Sequence, residues 1–454
     1  MARRGAAFRP REGQPGRGGG APGLKGVAVV GLGYVGLTLA VTLARKGFTV
    51  FGSDRDPRVV ATLAAGRPHL FEPGVEDGLR EFLGERLRVA ATLPREPVDA
   101  VVLCVSTPIS PESRQPELEN LREAARAVGE ACPPGTLVVV RSTVPVGASR
   151  RVVLPELVAR WGRARLAFAP ERTIQGQALR ELEELPQVIG GLDTESRDAA
   201  AALFRRVTPR IVPVSSLEAA ELVKLINNCH TDLIYSFGNE VALLAERLGL
   251  DPLELIRAAN VDYPRPDLSK PGFVGGGCLS KDPYILLNSS TSTGNRPWLV
   301  GQARGLNEYL PIHVARRFLE MLRDTRGTLE GGQVLLLGFA YKGWPPTDDM
   351  RGAPVLQMLD LFRGEPLTLL GHDYLVSPEV LRGLGVRPTT PEEGFAGSDG
   401  VLVITDHPEY AKLDLPRLLA SLRRPALLYD CWRILDEPVV RAAGQVRYAG
   451  IGYG

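Results

Sequence analysis

Near its start the chain reads VAVVGLGYVG from Val27 to Gly36, four apolar residues followed by three glycines in the spacing Gly-x-Gly-x-x-Gly. A helical pattern of apolar residues comes next, and a second apolar run, Thr49 to Asp54, ends in an acidic residue. Strand, glycine turn, helix and a second strand ending in a carboxylate are the pattern of a dinucleotide-binding domain. The alternative is that the glycines serve only the packing of the helix.

Each glycine of the turn has a separate physical task. Gly31 makes the tight turn, Gly33 lets a pyrophosphate meet the helix N-terminus, and Gly36 allows the helix to pack closely on the strand. Asp54 is expected to bind the ribose hydroxyls of the adenosine, and its charge repels a 2′-phosphate, so the predicted cofactor is NAD rather than NADP. The candidate cofactor-binding residues of this stretch are Gly31, Gly33, Tyr34, Val35, Gly36 and Asp54.

Three further apolar runs predict strands at 99–105, 136–140 and 165–168. Each run is continuous, as expected of parallel strands that are buried on both faces. Polar residues follow these strands, and in an open α/β sheet the ligand lies beyond the carboxyl ends, so we expect them to line the site. Alternatively, they form turns and nothing more. The candidates at these ends are Thr107, Thr143, Glu171 and Arg172.

A long helical pattern extends from Leu217 to Leu248 and is terminated by Gly249. We expect this helix to link two domains. Lys224 and Asn228 are four residues apart, so they lie one turn apart on the same face. Such a pair usually belongs to a solvated face, but here the face is expected to lie between a cofactor domain and a reactive loop.

A glycine-rich stretch, GFVGGGCLSKDPY from Gly272 to Tyr284, is predicted to be a loop that presents one cysteine, one lysine and one aspartate together. Clustered glycines let a ligand approach the main chain closely. Cysteine attacks as the thiolate, and the ammonium of Lys281 stabilises that form, so Cys278 is a candidate nucleophile beside Asp282. The alternative is a small buried thiol, the more common role of a lone cysteine.

A second α/β pattern begins near Gly332, with predicted strands at 334–338, 367–370, 401–404 and 426–430. It has no full Gly-x-Gly-x-x-Gly, so we expect it to bind something other than a second dinucleotide. The predicted organisation is a disordered tail over 1–23, an NAD-binding domain over 24–212, a central helical domain with the cysteine loop over 213–325, and a C-terminal domain over 326–454.

The composition is that of a globular protein: 44% of the 454 residues are hydrophobic, 23% are charged, and the net charge is +2. This balance gives no electrostatic case for nucleic acid or a membrane surface, and no apolar run approaches the length of a membrane span. The five cysteines include no Cys-x-x-Cys pair, which suggests neither a disulfide framework nor a metal site. With no secretory signal in the sequence, we expect a cytoplasmic protein.

The motifs, in this order from Lys25 to the C-terminus, resemble the UDP-glucose/GDP-mannose (nucleotide-sugar) 6-dehydrogenase family. The resemblance implies an α/β fold with two Rossmann-like doubly wound domains joined by a long central helix, through which two chains form a homodimer. It also implies oxidation of the C6 alcohol of a UDP- or GDP-sugar to a carboxylate with two NAD, the C-terminal domain binding the nucleotide. The matching motifs are Gly31 to Gly36, Glu72-Pro73-Gly74, Ser142 to Gly147, Pro170-Glu171-Arg172, Lys224 with Asn228, Gly275 to Asp282 and Phe339 to Lys342.

The resemblance further implies roles for single residues. Cys278 captures the C6 aldehyde as a thiohemiacetal, which a second oxidation converts into a thioester. The other implied catalytic residues are Lys224 and Asn228 for the oxyanion at C6, Asp282 for proton transfer with a water, and Glu171 and Thr143 for the hydrolytic water. Implied cofactor contacts add Thr107, Thr143 and Lys281, and implied substrate contacts are Glu72, Glu171, Arg172, Lys224, Asn228, Arg265, Phe273, Gly275 and Lys342.

The sugar is indicated by finer resemblances. The segments 170–191 and 262–265 look like the branch that acts on UDP-N-acetylhexosamines, in particular UDP-N-acetyl-D-mannosamine. UDP-glucose and GDP-mannose enzymes usually have Asn-Pro-Glu-Phe in the first segment; they and a UDP-N-acetylglucosamine enzyme stay as alternatives. Two departures bear on specificity: Gly277 stands where proline is common, and Asp430-Cys431-Trp432-Arg433 stands where some relatives have Asp-Gly-Arg. An arginine contact to the substrate is therefore either moved to Arg433 or lost.

Two other interpretations of the sequence stay open. A one-step hydroxyacid dehydrogenase shares the NAD domain, the long helix and a lysine/asparagine pair, but it needs no cysteine. A non-catalytic NAD-binding or sugar-sensing protein could be built on a decayed dehydrogenase. Against the second interpretation, every chemical group that the mechanism needs is present in the sequence.

Overall fold

The computed structural model describes residues 25–94, 96–263, 268–291, 294 and 297–454. Over these residues the chain forms two largely parallel sheets with helices packed against them, and a helix of 32 residues lies between the sheets in sequence. The predicted fold class, two Rossmann-like doubly wound domains joined by a long central helix, is confirmed.

The first sheet contains β1 Gly26–Val30, β2 Thr49–Ser53, β3 Leu87–Ala90, β4 Ala100–Leu103, β5 Leu137–Val140, β6 Arg165–Phe168, β7 Gln187–Gly191 and β8 Ile211–Pro213. Their spatial order is β3-β2-β1-β4-β5-β6-β7-β8, and only β6 and β7 pair antiparallel. The strand order reverses between β1 and β4, where such a sheet binds its ligand. The apolar runs do not predict β3, β7 and β8, because β3 is partly exposed, β7 ends in glycines and β8 is only three residues long.

The core explains why the predicted strands are continuous apolar runs. Val27 and Val29 of β1 pack into a cluster on one face of the sheet, and Ala28 packs into a cluster on the other face. All three side chains are fully buried. A strand that is covered on both faces has no solvent-exposed side, so apolar residues follow one another without alternation.

The second sheet contains β9 Gly332–Leu337, β10 Leu367–His372, β11 Arg387–Pro388, β12 Gly400–Val403, β13 Ala426–Asp430 and β14 Val446–Ala449. Its order is β11-β10-β9-β12-β13-β14, with every pair parallel. Leu336 and Leu337 of β9 belong to two different apolar clusters, one on each face. The second sheet therefore repeats the architecture of the first, with its own reversal of strand order between β9 and β12.

The helices are α1 Tyr34–Arg45, α2 Pro57–Ala64, α3 Val75–Phe82, α4 Glu119–Ala131, α5 Leu154–Trp161, α6 Ala178–Glu184, α7 Thr194–Phe204, α8 Leu217–Leu248, α9 Pro252–Asn260, α10 Gly276–Leu279, α11 Asp282–Ser289, α12 Trp298–Arg326, α13 Pro354–Phe362, α14 Pro378–Gly383, α15 Pro391–Phe395, α16 Leu415–Ala420 and α17 Glu437–Ala442. A π-helical turn, Ser149–Val153, precedes α5, and a 3-10 turn spans Tyr410–Lys412. Among the helices within the described ranges, none has both the length and the apolar character to cross a lipid bilayer.

The central helix α8 has the predicted bounds, and its ends have local causes. The Ser216 side chain accepts a backbone hydrogen bond of the first turn, and Gly249 ends the helix in the left-handed region at φ 68°. Leu217 and Ala220 at its start belong to the core of the first sheet, whereas Ala242 belongs to the core of the second. The helix α12 packs along it. The two sheets are therefore joined by packed helices rather than by a loose linker.

The stretch from Gly272 to Tyr284 is helical in part, so the prediction of a continuous loop is wrong. Gly276–Leu279 forms the single turn α10, and α11 begins at Asp282. An acidic first residue followed by Pro283 is a helix start signal, which the neighbouring glycines obscured. Both short helices pack against α8, so the cysteine segment is held on the central helix.

Candidate active site

The glycine turn between β1 and α1 has the geometry of a phosphate cradle. Gly31 has φ +87°, and a Cβ atom on Gly36 would lie 1.8 Å from the Gly31 carbonyl oxygen. A Cβ atom on Gly33 would meet nothing within 4 Å. There is therefore no room for a side chain at Gly31 or Gly36, whereas Gly33 is exposed. Gly33 lies at the N-terminus of a twelve-residue helix, where backbone N–H groups attract phosphate.

Asp54 and Thr107 complete the cofactor edge of the first sheet. Asp54, directly after β2, accepts a hydrogen bond from the Leu32 backbone N–H at 2.7 Å and so braces the glycine turn. Thr107 follows β4 and is buried, and its hydroxyl has no hydrogen-bond partner among the described residues. A buried polar atom without a partner costs free energy until a ligand supplies one. The cradle and this hydroxyl fit a bound dinucleotide.

The second sheet has a corresponding turn after β9, but that turn is filled. Gly338 has φ +99°, and the Asp373 carboxylate accepts hydrogen bonds from the backbone N–H groups of Phe339 at 2.6 Å and Ala340 at 3.2 Å. Ala340 is buried where the first turn has the exposed Gly33. The Phe339 contact matches the Leu32–Asp54 contact of the first turn, so the two turns differ at Ala340, whose N–H is already bound and whose methyl group occupies the place of Gly33.

One face of α8 gathers the predicted catalytic polar groups. Asn228 Nδ2 donates to one oxygen of Asp282 at 2.5 Å, and Lys281 Nζ donates to the other at 2.6 Å. Asp282 is fully buried, and Lys224 is only 6% exposed. Lys224 forms neither an ion pair nor a hydrogen bond through its ammonium with any residue that the structure describes. Lys224 lies near enough to Glu171 to lower the pKa of that carboxylate, but its ammonium donates to no described residue, so its donors are available to an oxygen of a ligand.

Cys278 differs from the other cysteines in its exposure. It is exposed on α10, whereas the four others are buried: Cys104, Cys132, Cys229 and Cys431. Burial raises the pKa of Cys229, which adjoins Asn228 on α8, to about 12, so that thiol is unreactive. Burial opposes the charge on Lys281, but Asp282 and Cys278 outweigh this effect and raise the pKa of Lys281. The lysine therefore keeps its positive charge near Cys278.

The C-terminal domain packs directly on the cysteine segment. A Cβ atom on Gly276, which has φ +86°, would lie 2.7 Å from the Tyr341 ring, and one on Gly277 would lie 2.7 Å from the Arg351 guanidinium. Arg351 is held by Asp349, with 2.7 Å between its Nη2 and a carboxylate oxygen. Glycines at these positions let Tyr341 and Arg351 approach the backbone next to Cys278, which brings a second cation to the thiol.

Glu171 is buried, and N–H donors surround its carboxylate. Arg141 donates to one oxygen through Nη2 at 2.5 Å and Nε at 3.2 Å, and the backbone N–H groups of Arg172 and Thr173 donate to the other at 2.6 and 2.7 Å. Burial raises the pKa of Glu171, but the charge of Arg141 and the Thr173 N–H outweigh it, so the pKa is lowered. The nearby charge of Lys224 acts in the same direction. Glu171 is therefore ionised and fixes the backbone turn of Arg172 and Thr173.

Glu72 binds two parts of the cofactor domain together. Its carboxylate accepts hydrogen bonds from the backbone N–H groups of Gly176 at 2.6 Å and Ala178 at 2.7 Å, and from the Tyr34 hydroxyl. Burial raises the pKa of Tyr34, and the hydrogen bond to Glu72 raises it further, so the hydroxyl stays a donor. The segment that carries the predicted sugar-specificity residues is thereby attached to the glycine turn.

Gln175 links this same segment to the C-terminal domain. Its side-chain amide donates to Asp349 at 2.9 Å, and its backbone oxygen accepts a hydrogen bond from Lys342 Nζ at 2.8 Å. Burial lowers the pKa of Lys342 to about 8, despite the acidic groups nearby. Glu72 and Lys342, which were predicted from separate motifs, therefore both bind the backbone of segment 175–178.

The remaining predicted residues have varied surroundings. Thr143 is half-buried just after β5, and the Arg172 guanidinium donates to the Pro186 carbonyl at 3.3 Å. Gly275 lies against the backbone of Gly352. Arg265 lies outside the described residues. The roles predicted for all these residues stay predictions.

Trp432 and Arg433 stand where some relatives carry a substrate-binding arginine. The indole of Trp432 covers Gly272, where a Cβ atom would lie 2.4 Å from it, and packs edge-to-face on Phe273 at 6.4 Å. Arg433 forms ion pairs with Asp251 at 2.5 Å and Glu437 at 2.9 Å. Both residues thus support the base of the cysteine segment and the contact between domains, and Phe273 is buried between the segment and Trp432.

Several residues of the site are absent from the motif analysis. Arg141 could have been noticed as a charge at the end of an apolar strand. Glu221 stands one turn before Lys224 on α8 and accepts hydrogen bonds from the backbone N–H groups of Gly147 at 2.5 Å and Ser149 at 2.9 Å. Its pKa is raised to about 7 by burial. No local pattern marks it, because its partners lie more than seventy positions earlier in the chain.

A glycine cradle at the switch point of the first sheet, joined by a long helix to an exposed thiol under the second sheet, is the arrangement of an NAD-dependent dehydrogenase. Family models agree along the chain: the NAD binding domain of the UDP-glucose/GDP-mannose dehydrogenase family matches residues 25–208, its central domain 218–309, and its UDP binding domain 335–437. The chain belongs to this family of oxidoreductases.

Individual relatives are similar over nearly the full length. The UDP-N-acetyl-D-mannosamine dehydrogenase of Pyrococcus horikoshii is 32% identical over 94% of this chain and 99% of its own, and its solved structure superimposes with a TM-score of 0.83. An NDP-N-acetyl-D-galactosaminuronic acid dehydrogenase of Ralstonia nicotianae is 30% identical over 86% of this chain and 93% of its own. A UDP-glucose dehydrogenase structure from Pyrobaculum islandicum has a TM-score of 0.79 at 29% identity, covering 96% of this chain and 100% of that one.

Proposed function

We propose that the protein oxidises the C6 alcohol of a UDP-N-acetylhexosamine, with UDP-N-acetyl-D-mannosamine as the preferred substrate, to the corresponding uronic acid. The observation that carries this proposal is the Lys224 ammonium, which donates to no described residue and lies on the same helix face as the Asn228–Asp282 pair. Names of relatives support the sugar class, because the proteins from Pyrococcus and Ralstonia are both named for N-acetylated sugars.

The overall chemistry is a four-electron oxidation. Bound NAD accepts one hydride from C6 in each of two oxidations, so that R–CH2OH, two NAD⁺ and water give R–COO⁻, two NADH and three protons. Gly31, Gly33 and Gly36 provide the turn that holds the pyrophosphate, and Asp54 and Thr107 stand at the adjoining strand ends. The chain's own side chains have to hold the sugar, the aldehyde and the protons.

Cys278 keeps the aldehyde on the protein. Its sulfur adds to the C6 carbonyl, and the new C–S bond gives a thiohemiacetal that is oxidised to a thioester. Water then attacks the thioester carbon, the C–S bond breaks, and the thiolate is restored as the carboxylate leaves. The positive charges of Lys281 and Arg351 lie near this sulfur.

Lys224 and Asn228 serve the oxygen on C6. That oxygen gains negative charge when the alcohol loses its proton and again when sulfur or water attacks the carbonyl carbon. An ammonium in a fixed place on α8, with donors that no described residue uses, needs no reorganisation to stabilise this charge. Asn228 has one amide N–H on Asp282 and a second for the substrate oxygen. Asp282 fixes Asn228 and Lys281 and, through a water, takes up the released proton.

Glu171 and Thr143 serve the hydrolytic step. Glu171 contributes a fixed negative charge near Lys224 and holds the turn of Arg172 and Thr173. Because donors already occupy its carboxylate, Glu171 holds in place the residues around the hydrolytic water, and the Thr143 hydroxyl positions the water itself. Lys342, between the two domains, attracts the anionic part of the nucleotide sugar.

The central helix also supports a dimer. Several large apolar side chains on α8 are exposed, and they lie three, four, seven or eight positions from their neighbours in the set, which places them on one side of the helix. They are Ile226, Ile234, Phe237, Leu244 and Leu248, with exposures from 39% to 62%. A second copy of the chain covers such a surface with like residues, and replacing Phe237 and Leu244 by aspartate should turn a dimer into monomers in light scattering.

The deciding experiment is a panel of sugars with NAD, comprising UDP-N-acetylmannosamine, UDP-N-acetylglucosamine, UDP-N-acetylgalactosamine, UDP-glucose and GDP-mannose. NADH is measured by absorbance and the acid by mass spectrometry. The proposal expects two NADH per sugar and the highest kcat/KM with UDP-N-acetylmannosamine. One NADH per sugar would indicate a one-step dehydrogenase, and NAD binding without turnover would indicate a non-catalytic protein. Preference for another sugar would overturn the substrate assignment alone.

A further inference from the structure

Behind the cysteine segment lies a buried group of polar side chains that the proposed chemistry does not use. Arg304 of α12 is 2% exposed, and Asp232 of α8 is 1% exposed. Arg304 Nη1 donates to Asp232 at 2.8 Å and to the Leu279 carbonyl at 2.9 Å, and Nη2 donates to the Val274 carbonyl at 3.4 Å. One guanidinium therefore binds the backbone on both sides of Cys278.

Two asparagines connect the Arg304–Asp232 pair to Gly272, at the start of the cysteine segment. Asn307 of α12 donates to the backbone oxygen of Asp232 at 2.9 Å and to its carboxylate at 3.0 Å. Asn239 of α8 donates to Asn307 at 2.9 Å and accepts a hydrogen bond from the Gly272 N–H at 2.8 Å. Both asparagines are at most 1% exposed. The polar clamp, meaning Asp232, Asn239, Arg304 and Asn307, thus grips the segment at Gly272, Val274 and Leu279.

The clamp is better explained by positioning than by stability. A buried ion pair loses much of its attraction to the cost of removing two charges from water, and apolar residues of similar volume are often as stable. The segment it holds is rich in glycine, and glycine has the greatest backbone freedom to lose on folding. Fixed hydrogen-bond partners at three backbone points, an acceptor at Gly272 and donors at Val274 and Leu279, restrict that freedom next to the reactive sulfur. Since Asp232 is on the same helix as Lys224 and Asn228, the clamp fixes the sulfur relative to them.

We propose that Arg304, together with Asp232, is a positioning residue that sets the place of Cys278 relative to the oxyanion-binding residues of α8. This inference rests on the function proposed above for Cys278. An arginine is required because its planar fork can donate to the carboxylate and to two carbonyl groups at once, whereas a lysine ammonium cannot span them. A displacement of about 1 Å at a reacting centre can cost about a hundredfold in rate.

The chain offers a matched control on the same two helices. Arg317 of α12 forms an ion pair with Glu246 of α8, with 3.0 Å between Nε and a carboxylate oxygen, and it has no hydrogen bond to the segment 272–281. Arg317→Lys therefore tests the effect of altering an ion pair between α8 and α12. Arg304→Lys tests the same change at the clamp.

The test compares both variants with the full-length wild-type chain by two measurements. Backbone hydrogen exchange of peptides covering 272–281 needs no substrate, so its outcome does not depend on the proposed function. We expect Arg304→Lys to speed exchange there about tenfold or more, and Arg317→Lys to leave it within about twofold. With the active sugar, we expect Arg304→Lys to lower kcat about 10- to 100-fold at a KM within about threefold, and to release aldehyde after one NADH.

The outcomes separate cleanly. Unchanged exchange at 272–281 in Arg304→Lys overturns the proposal, as does faster exchange with unchanged kcat and two NADH per sugar. Equal losses in Arg304→Lys and Arg317→Lys also overturn it, because they indicate a general structural role. If Arg304→Lys does not fold, Asp232→Asn replaces it in the test, because asparagine keeps the volume and one acceptor oxygen. This variant then has to show faster exchange at 272–281 and a lower kcat, both to a smaller extent. If the wild type oxidises no sugar but exchange responds as expected, the clamp stands and the proposed function fails.

Discussion

The Asn228 amide and the Asp282 carboxylate are 2.5 Å apart, although 54 positions separate them in the chain. This contact fixes the helix face that carries Lys224 against the segment that carries Cys278. Lys281 binds the other oxygen of the same carboxylate, so one buried group orders both sides of the site. Disturbing Asp282 should therefore affect chemistry more than substrate affinity.

Asp282→Asn should lower kcat by about 10²- to 10³-fold with little change in KM, because the variant loses a proton acceptor and the charge that fixes Lys281. Steady-state kinetics with the preferred sugar measure the effect. Asp360→Asn is the control, since Asp360 of α13 forms a surface ion pair with Arg363 and has no part in the proposed chemistry. Equal losses in both variants would mean that Asp282 serves stability alone.

Cys278→Ser should stop the reaction after the first oxidation at most, because a serine hydroxyl is a far weaker nucleophile than a thiolate at neutral pH. We expect no more than one NADH per sugar and no thioester adduct in the mass spectrum of the intact protein. Cys132→Ser, at a buried thiol near the end of α4, should retain two NADH per sugar. Full carboxylate formation by Cys278→Ser would remove the sulfur from the mechanism.

Arg141→Met should destabilise the fold by about 3–5 kcal/mol at neutral pH, because it leaves the buried carboxylate of Glu171 without its cation. In the wild type the pKa of Glu171 is lowered, so its stabilising contribution is present above the ordinary value of about 4.3 and is lost as the pH falls through the folded-state pKa. In the variant, burial without Arg141 raises that pKa. The destabilisation should therefore shrink as the pH is lowered from 7 to 4.

Urea unfolding at several pH values measures this effect. Arg163→Met is a suitable control, because Arg163 pairs with Glu195 on the surface and such pairs contribute about 0.2–1 kcal/mol. A pH-independent loss in Arg141→Met would show that its hydrogen bonds to Ala169 and Gln187 matter more than its charge.

Lys342 should make substrate affinity depend on alkaline pH. Its pKa is lowered to about 8, so its ammonium is charged at pH 7 and mostly neutral at pH 9. We expect KM for the nucleotide sugar to rise about five- to tenfold over that interval, since an attraction to the anionic substrate is lost. Lys342→Arg stays charged and should give a flat profile. An identical rise in both proteins would place the titrating group elsewhere.

Much of the fold could be predicted from sequence where one local pattern was sufficient. The central helix has an apolar period, a serine cap and a terminal glycine, and its predicted bounds match the structure. By contrast, β7 and β8 form only because β6 and α7 offer them partners, which no local run of residues reveals. The turn α10 escaped notice because glycines suggest a loop even where packing against α8 imposes helical geometry.

The site followed the same division. Lys224 and Asn228 share a helix face by simple spacing, but the pairing of Asn228 with Asp282 needs the tertiary fold. Glu171 was recognised from its motif, whereas the donors that occupy its carboxylate, chiefly Arg141, come from another strand. Contacts between distant segments decide whether a carboxylate acts as a base or as an anchor, and a motif carries no information on them.

The filled turn after β9 has a consequence for timing. With the N–H group of Ala340 already bound by Asp373, the part of the chain that the structure describes offers one dinucleotide cradle, yet the proposed route removes two electron pairs from one carbon. The protein must therefore exchange spent for fresh cofactor in mid-reaction, while the half-oxidised sugar stays tethered. The thiohemiacetal at Cys278 therefore has to persist for longer than the release of NADH and the binding of a second NAD take.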